Sequence, residues 1–398
     1  MKTLFTNAHV VDVMHGRGYG PVDILVEDGV IQTIGEAPAE ADALIRDMKG
    51  RWVSPGLFNC HTHVSTPFFA DPSQIKKDVV ECTLNAMENF RTYIRTGVTC
   101  IRDVGDLDSL TVRVRDAIRK GRFPDAPDML TTGRPICMTG GSTWQFGGYQ
   151  ADGTDECRKA ARVMLRERID WLKLMATGGV ATRGNSCGAE QLSEEELRVM
   201  VEEAHKAGIP VACHAQGLSG AKNAIRAGVD SLEHGFVLDD EAVEMMLERG
   251  TWLVPTLMAP QESLKNSRLI IDNEFLEKAQ KNTVDSLESF TRAYRAGVRC
   301  ALGTDSGTIL CPHDDTCEEL ILMVERCGVS PEDAMRIGTI RSAQMLGLEK
   351  SLGTVEPGRK AHFAVYEENP LENMRTLRDC RMTVKNGRVL WDADRPND

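Results

Sequence analysis

The 398-residue chain contains no apolar stretch approaching the ~20 residues a membrane-spanning helix needs. It also lacks any CxxC pair. Its twelve cysteines are scattered singly, as at Cys60, Cys100, Cys137, Cys213 and Cys300. That pattern excludes a disulfide framework and a thiolate zinc site, and fits buried reduced thiols in a cytoplasmic protein. Positive charge is in deficit too: 47 Lys and Arg against 59 Asp and Glu give a net charge of −12. Nucleic acid and anionic membranes are therefore poor partners, and a small-molecule substrate is the better expectation. The first residues, MKTLFTNAHVVDVMHG, are broken by Thr6, Asn7 and His9, which makes a poor signal peptide. No low-complexity tract and no Gly-rich phosphate loop after the first strand are present.

What is present is a repeated punctuation. RTGVTCIRDVG (95–105), KAGIPVACHAQG (206–217), RAGVDSLEHG (226–235), ERGTWLVPTL (248–257) and RAGVRCALGTDSG (295–307) each begin with a basic residue and a glycine. Such a pair ends a helix, the glycine taking the left-handed conformation and the cation facing the helix dipole. A short β-rich apolar run follows each time. The stretches before are helical in pattern; 193–208 opens with Ser193 and, three residues on, Glu196, a capping box. Further strands fit at 52–60, 129–136 and 170–176, which makes eight. Alternating helices and buried strands in that number predict a closed (β/α)8 TIM barrel. The chain ends read differently, as short alternating strands with Asp-Gly and Asn-Gly turns, so they are expected to pair into one small β-sandwich domain. The expected organisation is sandwich (1–54), barrel (55–350) and sandwich again (351–398).

Polar residues at the C-terminal ends of barrel strands meet at one mouth. Here they are His61 and His63 in LFNCHTHVST, Lys173, His214, His234 and Asp305. Four imidazoles and a carboxylate form a nitrogen–oxygen metal-ligand set of the zinc type. Cys60, beside His61, falls on the opposite face by strand alternation and reads as a buried thiol. Lys173 does not fit the set, because an ammonium repels a metal ion. One reading makes it an inward barrel lysine paired with Asp305.

These motifs resemble the amidohydrolase superfamily, in particular its prolidase-like (Xaa-Pro dipeptidase- and imidazolonepropionase-related) branch. HTH, KLMATGG, CHAQG, EHG and GTDSG occur in that family's order, and SPGLFNCHTH and GTVEPGRKA match its sandwich junctions. The resemblance implies two divalent metal ions, zinc by default, and a CO2-derived carbamate on Lys173 that bridges them. His61, His63 and Asp305 would hold one metal, and His214 and His234 the other. The implied activity is hydrolysis of an amide C–N bond, in a dipeptide or N-acyl amino acid, by a metal-bridging hydroxide with Asp305 as catalytic proton shuttle. Homo-oligomers are common among such relatives.

Two positions depart from the pattern. Ser142 stands where relatives often have a histidine after TGG, which leaves the group that stabilises the oxyanion open. His362 replaces an acid in the sandwich. For substrate contacts the candidates are Ser142, Tyr149 and Arg183. Alternatives to a dipeptide are a cyclic amide of the imidazolone or hydantoin type and a lactone. A deaminase is disfavoured by Lys173 and by Gln216 after His214. From another class, a metal-free binding protein would predict gaps in the ligand set.

Overall fold

The computed structural model describes residues 2–36, 43–69, 78–180, 186–269 and 273–395. Barrel strands run over Leu57–Thr62, Val98–Asp103, Asp128–Thr131, Leu172–Met175, Val211–Ala215, Ser231–His234 and Trp252–Val254, all paired in parallel within two ladders. Residues 300–306 supply the eighth stave. Ala301 donates to the Leu253 carbonyl (3.0 Å), Cys60 to that of Leu302 (2.7 Å) and Asp305 to that of His61 (2.9 Å). The remaining gap is closed where Asp170 N–H reaches the Thr131 carbonyl (2.9 Å). The fold is a (β/α)8 barrel with a β-sandwich at the chain ends.

Alternation explains which side chains face the interior. Leu172 and Leu174 pack outward with the helices, in the same cluster as Val211 and Cys213. Lys173, between the two leucines, is thereby turned inward. The capping box at Ser193 forms as its sequence requires: the hydroxyl accepts from Glu196 N (3.3 Å), and the Glu196 carboxylate from Ser193 N (2.8 Å).

Two strand expectations need correction. The run 52–60 is not one strand. Trp52–Pro55 belongs to the sandwich, where it pairs with Phe363–Tyr366, and the barrel begins at Leu57. The crossing falls at Gly56, where an added Cβ would sit 2.3 Å from Thr99 Oγ1. The run 129–136 is likewise broken, into Asp128–Thr131 and Ile136–Cys137. Gly133 has a left-handed φ of 61°, and Pro135 has no N–H for a ladder.

The sandwich sheet takes five strands from the first 55 residues, among them Lys2–Asp12 and Arg17–Glu27, and three after residue 362. Phe5 and Phe363 meet edge to face (5.8 Å) in its core, so the two chain ends share one hydrophobic cluster. Asp28 and Asn386, each at positive φ and each followed by glycine, make the hairpin turns that their sequences predict. Among the described residues no helix is long and apolar enough to cross a membrane.

Candidate active site

The strand ends bring His61, His63 and Asp305 together. Both imidazole Nε2 atoms lie 3.2 Å from Asp305 Oδ1, and the ligand atoms of all three residues fall within 4.8 Å of one another. Each ring is oriented from behind. His61 Nδ1 lies 2.6 Å from Glu233 Oε2, and His63 Nδ1 lies 3.0 Å from the Gly105 carbonyl. With Nδ1 engaged, Nε2 is left to face the mouth, the arrangement that metal-ligating histidines require.

Glu233 is itself held in a buried network. Its Oε1 accepts from Arg102 (2.8 Å) and from Ser231 (2.6 Å). Arg102 also donates to the Cys60 carbonyl (2.7 Å), and its guanidinium lies 4.5 Å from the Trp171 ring. Arg102 and Glu233 are both fully buried, so their opposite charges compensate in a region without solvent.

The second group adjoins the first. His234 Nδ1 contacts Thr256 Oγ1 (2.8 Å), and its ring centroid lies 4.9 Å from that of His61 and 4.5 Å from that of His214. His214 Nε2 and Lys173 Nζ are buried and have no hydrogen-bond partner among the described residues. The pairing of Lys173 with Asp305 considered from the sequence is therefore not formed. Burial pushes the Lys173 ammonium below its ordinary pKa, although Glu233 and Asp305 pull the other way. Burial and then Lys173 bring His214 down to about 3, and burial and then His214 put His234 well below the usual imidazole range. Asp305 behaves oppositely: burial alone would raise it, but His61 and His63 hold it well below the usual carboxylate range.

The donor chemistry fits a metal ion. Four imidazoles and a carboxylate line one cavity, and two buried nitrogens have no partner among the described residues, which is costly unless something meets them. His234 and Asp305 also hold left-handed backbones, φ 73° and 63°, which non-glycine residues rarely adopt. Strain of this kind clusters at functional sites.

Over these residues lies a cavity of about 150 Å³. Its wall is mostly apolar, with Phe69, Leu107, Phe146, Phe236, Phe275 and Ile309 contributing. Ser142 and Gln216 add polar groups. The Ser142 N–H donates to Gln191 Oε1 (2.8 Å), and its hydroxyl would lie 2.9 Å from a Cβ placed on Gly179, itself close to His214. Tyr149 does not line the cavity. It is drawn aside by pairing with Ile136, and Arg134 covers its ring at 5.2 Å. Arg183 lies outside the described residues. Cys60 is buried, its thiol pushed up to about 12 by burial. His362 is buried in the sandwich, away from the cavity.

Glu233 and Arg102 are the members the sequence reading did not place in the site. The available signal was charge inside otherwise apolar strands, in IRDVG and SLEHG.

The chain belongs to the amidohydrolase family, whose model matches residues 52–390. It is accordingly a hydrolase of amide bonds. A crystal structure of a Xaa-Pro dipeptidase with bound methionine in the active site superposes with a TM-score of 0.91 at 29% identity, covering 98% of this chain and 99% of that one. Ochratoxinase of Aspergillus niger is 28% identical over 94% of this chain and 85% of its own length. Imidazolonepropionase of Acinetobacter baumannii is 26% identical over 94% of each.

Proposed function

We propose that this hydrolase cleaves the amide of a dipeptide or N-acyl amino acid that carries a large apolar side chain, and releases a free amino acid. The observation that carries this reading is the apolar cavity set directly over a carboxylate and four imidazoles. The methionine in the active site of the Xaa-Pro dipeptidase relative supports an amino acid as product.

His61, His63 and Asp305 would hold one divalent metal, His214 and His234 a second, with a carbamate on Lys173 between them and zinc as the metal. When bound, the pair would supply Lewis acidity to the scissile carbonyl and acidity to a water. The chain's own contribution is positional and protolytic. Asp305, kept ionised by His61 and His63, would take the proton from the attacking water and deliver it to the departing amine. Lys173, disfavoured as an ammonium by burial, is the amine poised to react with CO2, which would turn a cation into a bridging anion. Glu233 fixes the ring of His61, and the aromatic wall excludes water and seats the apolar side chain.

The test is amino-acid release from a panel of dipeptides and N-acyl amino acids, using zinc-loaded protein in bicarbonate. Release should favour large apolar side chains over charged ones. Silence across the panel with two metals bound would overturn the linear-amide reading. It would favour a cyclic amide, to which the likeness to imidazolonepropionase points.

A further inference from the structure

One polar group in the cavity wall is oriented by a contact that the hydrolytic chemistry does not use. Gln216 ends the turn after Val211–Ala215 and lines the cavity beside His214. Its backbone N–H is held by Thr177 Oγ1 (3.0 Å). Its side-chain Oε1 accepts from the thiol of Cys187 at 2.9 Å. That sulfur in turn accepts from Asn282 Nδ2 at 3.3 Å. Asn282 stands on the helix Asn273–Ala296, one turn beyond Ala279 and two beyond Phe275, which line the same cavity.

The order of donors and acceptors fixes the amide. Asn282 Nδ2 supplies a hydrogen to sulfur, the sulfur directs its own to Gln216 Oε1 at 2.9 Å in preference to Asn282 Oδ1 at 3.8 Å, and Gln216 Nε2 is left as an N–H donor with no partner among the described residues. Burial raises the Cys187 thiol above its ordinary pKa, so it remains a donor at neutral pH. Backbone packing keeps the loop in register. A Cβ on Gly217 would lie 2.0 Å from the Gly188 carbonyl oxygen, and one on Gly188 would lie 3.0 Å from Gly217 Cα. Two glycines in contact thus press the Cys187 loop onto the end of the fifth barrel strand.

We propose that Gln216 recognises a neutral oxygen acceptor of the substrate, an acyl or amide carbonyl, through its Nε2–H, and that Cys187 is the positioning residue that sets which end of that amide faces the cavity. This rests on the amide-hydrolase reading of the site and adds to it a substrate carbonyl held apart from the acid–base group. Cys187 is also the one cysteine of the twelve that is not fully buried. Its role here is as a hydrogen-bond donor rather than a nucleophile.

The experiment combines steady-state kinetics on the dipeptide and N-acetyl amino acid panel with calorimetric binding of the same amides to Asp305→Asn protein, which reads affinity without turnover. Gln216→Met and Cys187→Ala should each raise KM and weaken binding about fivefold, the worth of one neutral hydrogen bond, with kcat changed far less. Cys187→Ser, whose hydroxyl can still donate to Oε1, should restore most of the loss. Combining Cys187→Ala with Gln216→Met should add nothing to Gln216→Met alone. Wild-type KM and affinity in Cys187→Ala, or independent losses in the double variant, would overturn the proposal. So would failure of every amide to bind the Asp305→Asn protein. If the amides bind with the expected variant pattern while wild-type enzyme hydrolyses none of them, the functional reading fails and this inference stands.

Discussion

The two halves of the histidine cluster solve opposite electrostatic problems. On one side a carboxylate sits between two imidazoles at 3.2 Å from each, and both rings are anchored through Nδ1. This half is internally compensated. On the other, Lys173, His214 and His234 are three bases whose protonated forms repel one another, and two of their nitrogens have no hydrogen-bond partner among the described residues. The first half satisfies its own charges, whereas the second would be satisfied by an electrophile or anion between its members. The difference teaches where the proposed metal binding would draw its driving force. The compensated half presents a formed carboxylate, and the uncompensated half gains on occupation what it lacks without it.

The largest expected effect comes from breaking the compensated half. Asp305→Asn should lower kcat/KM by about 10²–10⁴, the range for loss of a proton-transfer group, while circular dichroism shows a folded protein. Retained activity would remove Asp305 from the chemistry. Next is the uncompensated half. Lys173→Ala should abolish most activity, and acetate or propionate should restore part of it by standing in for the proposed carbamate. Full activity without any added acid would end the carbamate reading.

Glu233→Gln sharpens the comparison from behind. It keeps the shape of the side chain but leaves the fully buried Arg102 guanidinium without its counter-charge, and disruption of a buried pair costs about 3–5 kcal/mol. The melting temperature should fall. Zinc affinity, read by competition with a chelator, should drop about 10–100-fold as His61 loses its anchor. An unchanged zinc affinity would show that His61 needs no carboxylate behind it.

Much of the architecture was legible because most strands advertise one or both of their ends. A glycine with a basic neighbour marks the helix before it, and a charged or imidazole residue interrupts the apolar run at its mouth. His61, His63, His214, His234 and Asp305 share that position. What the sequence conceals depends on contacts across the barrel. Arg102 and Glu233 read as charges in two separate strands, 131 residues apart, and only ring closure makes them a pair. Cys187 and Gln216 lie in different loops, and their contact turns on two glycines that carry no chemical signal. Tyr149 shows the converse. An aromatic in a Gly-rich loop suggests a substrate contact, but a two-residue strand turns it from the cavity.

The smallest effect tests whether a buried neutral imidazole is tolerated away from the cluster. His362, in the sandwich, contacts Asn386 Oδ1 through Nε2 at 3.0 Å, while its Nδ1 has no partner among the described residues. Burial brings it down to about 4, against the pull of Asp128. The folded protein therefore resists a proton that the unfolded chain accepts near 6.5. At pH 7 both states are neutral and the residue contributes no pH dependence. As pH falls from about 6.5 to 4 the unfolded state gains protons first, and stability declines by on the order of 3 kcal/mol at most. His362→Gln should leave stability at pH 7 within about 1 kcal/mol and flatten the acid limb of a melting-temperature series. An acid limb as steep as that of the parent would assign the sensitivity to the other buried imidazoles whose protonation burial disfavours, His214, His234 and His313. Saturating zinc should then suppress the share of His214 and His234, because a metal that binds only the folded state opposes their protonation, and leave that of His313.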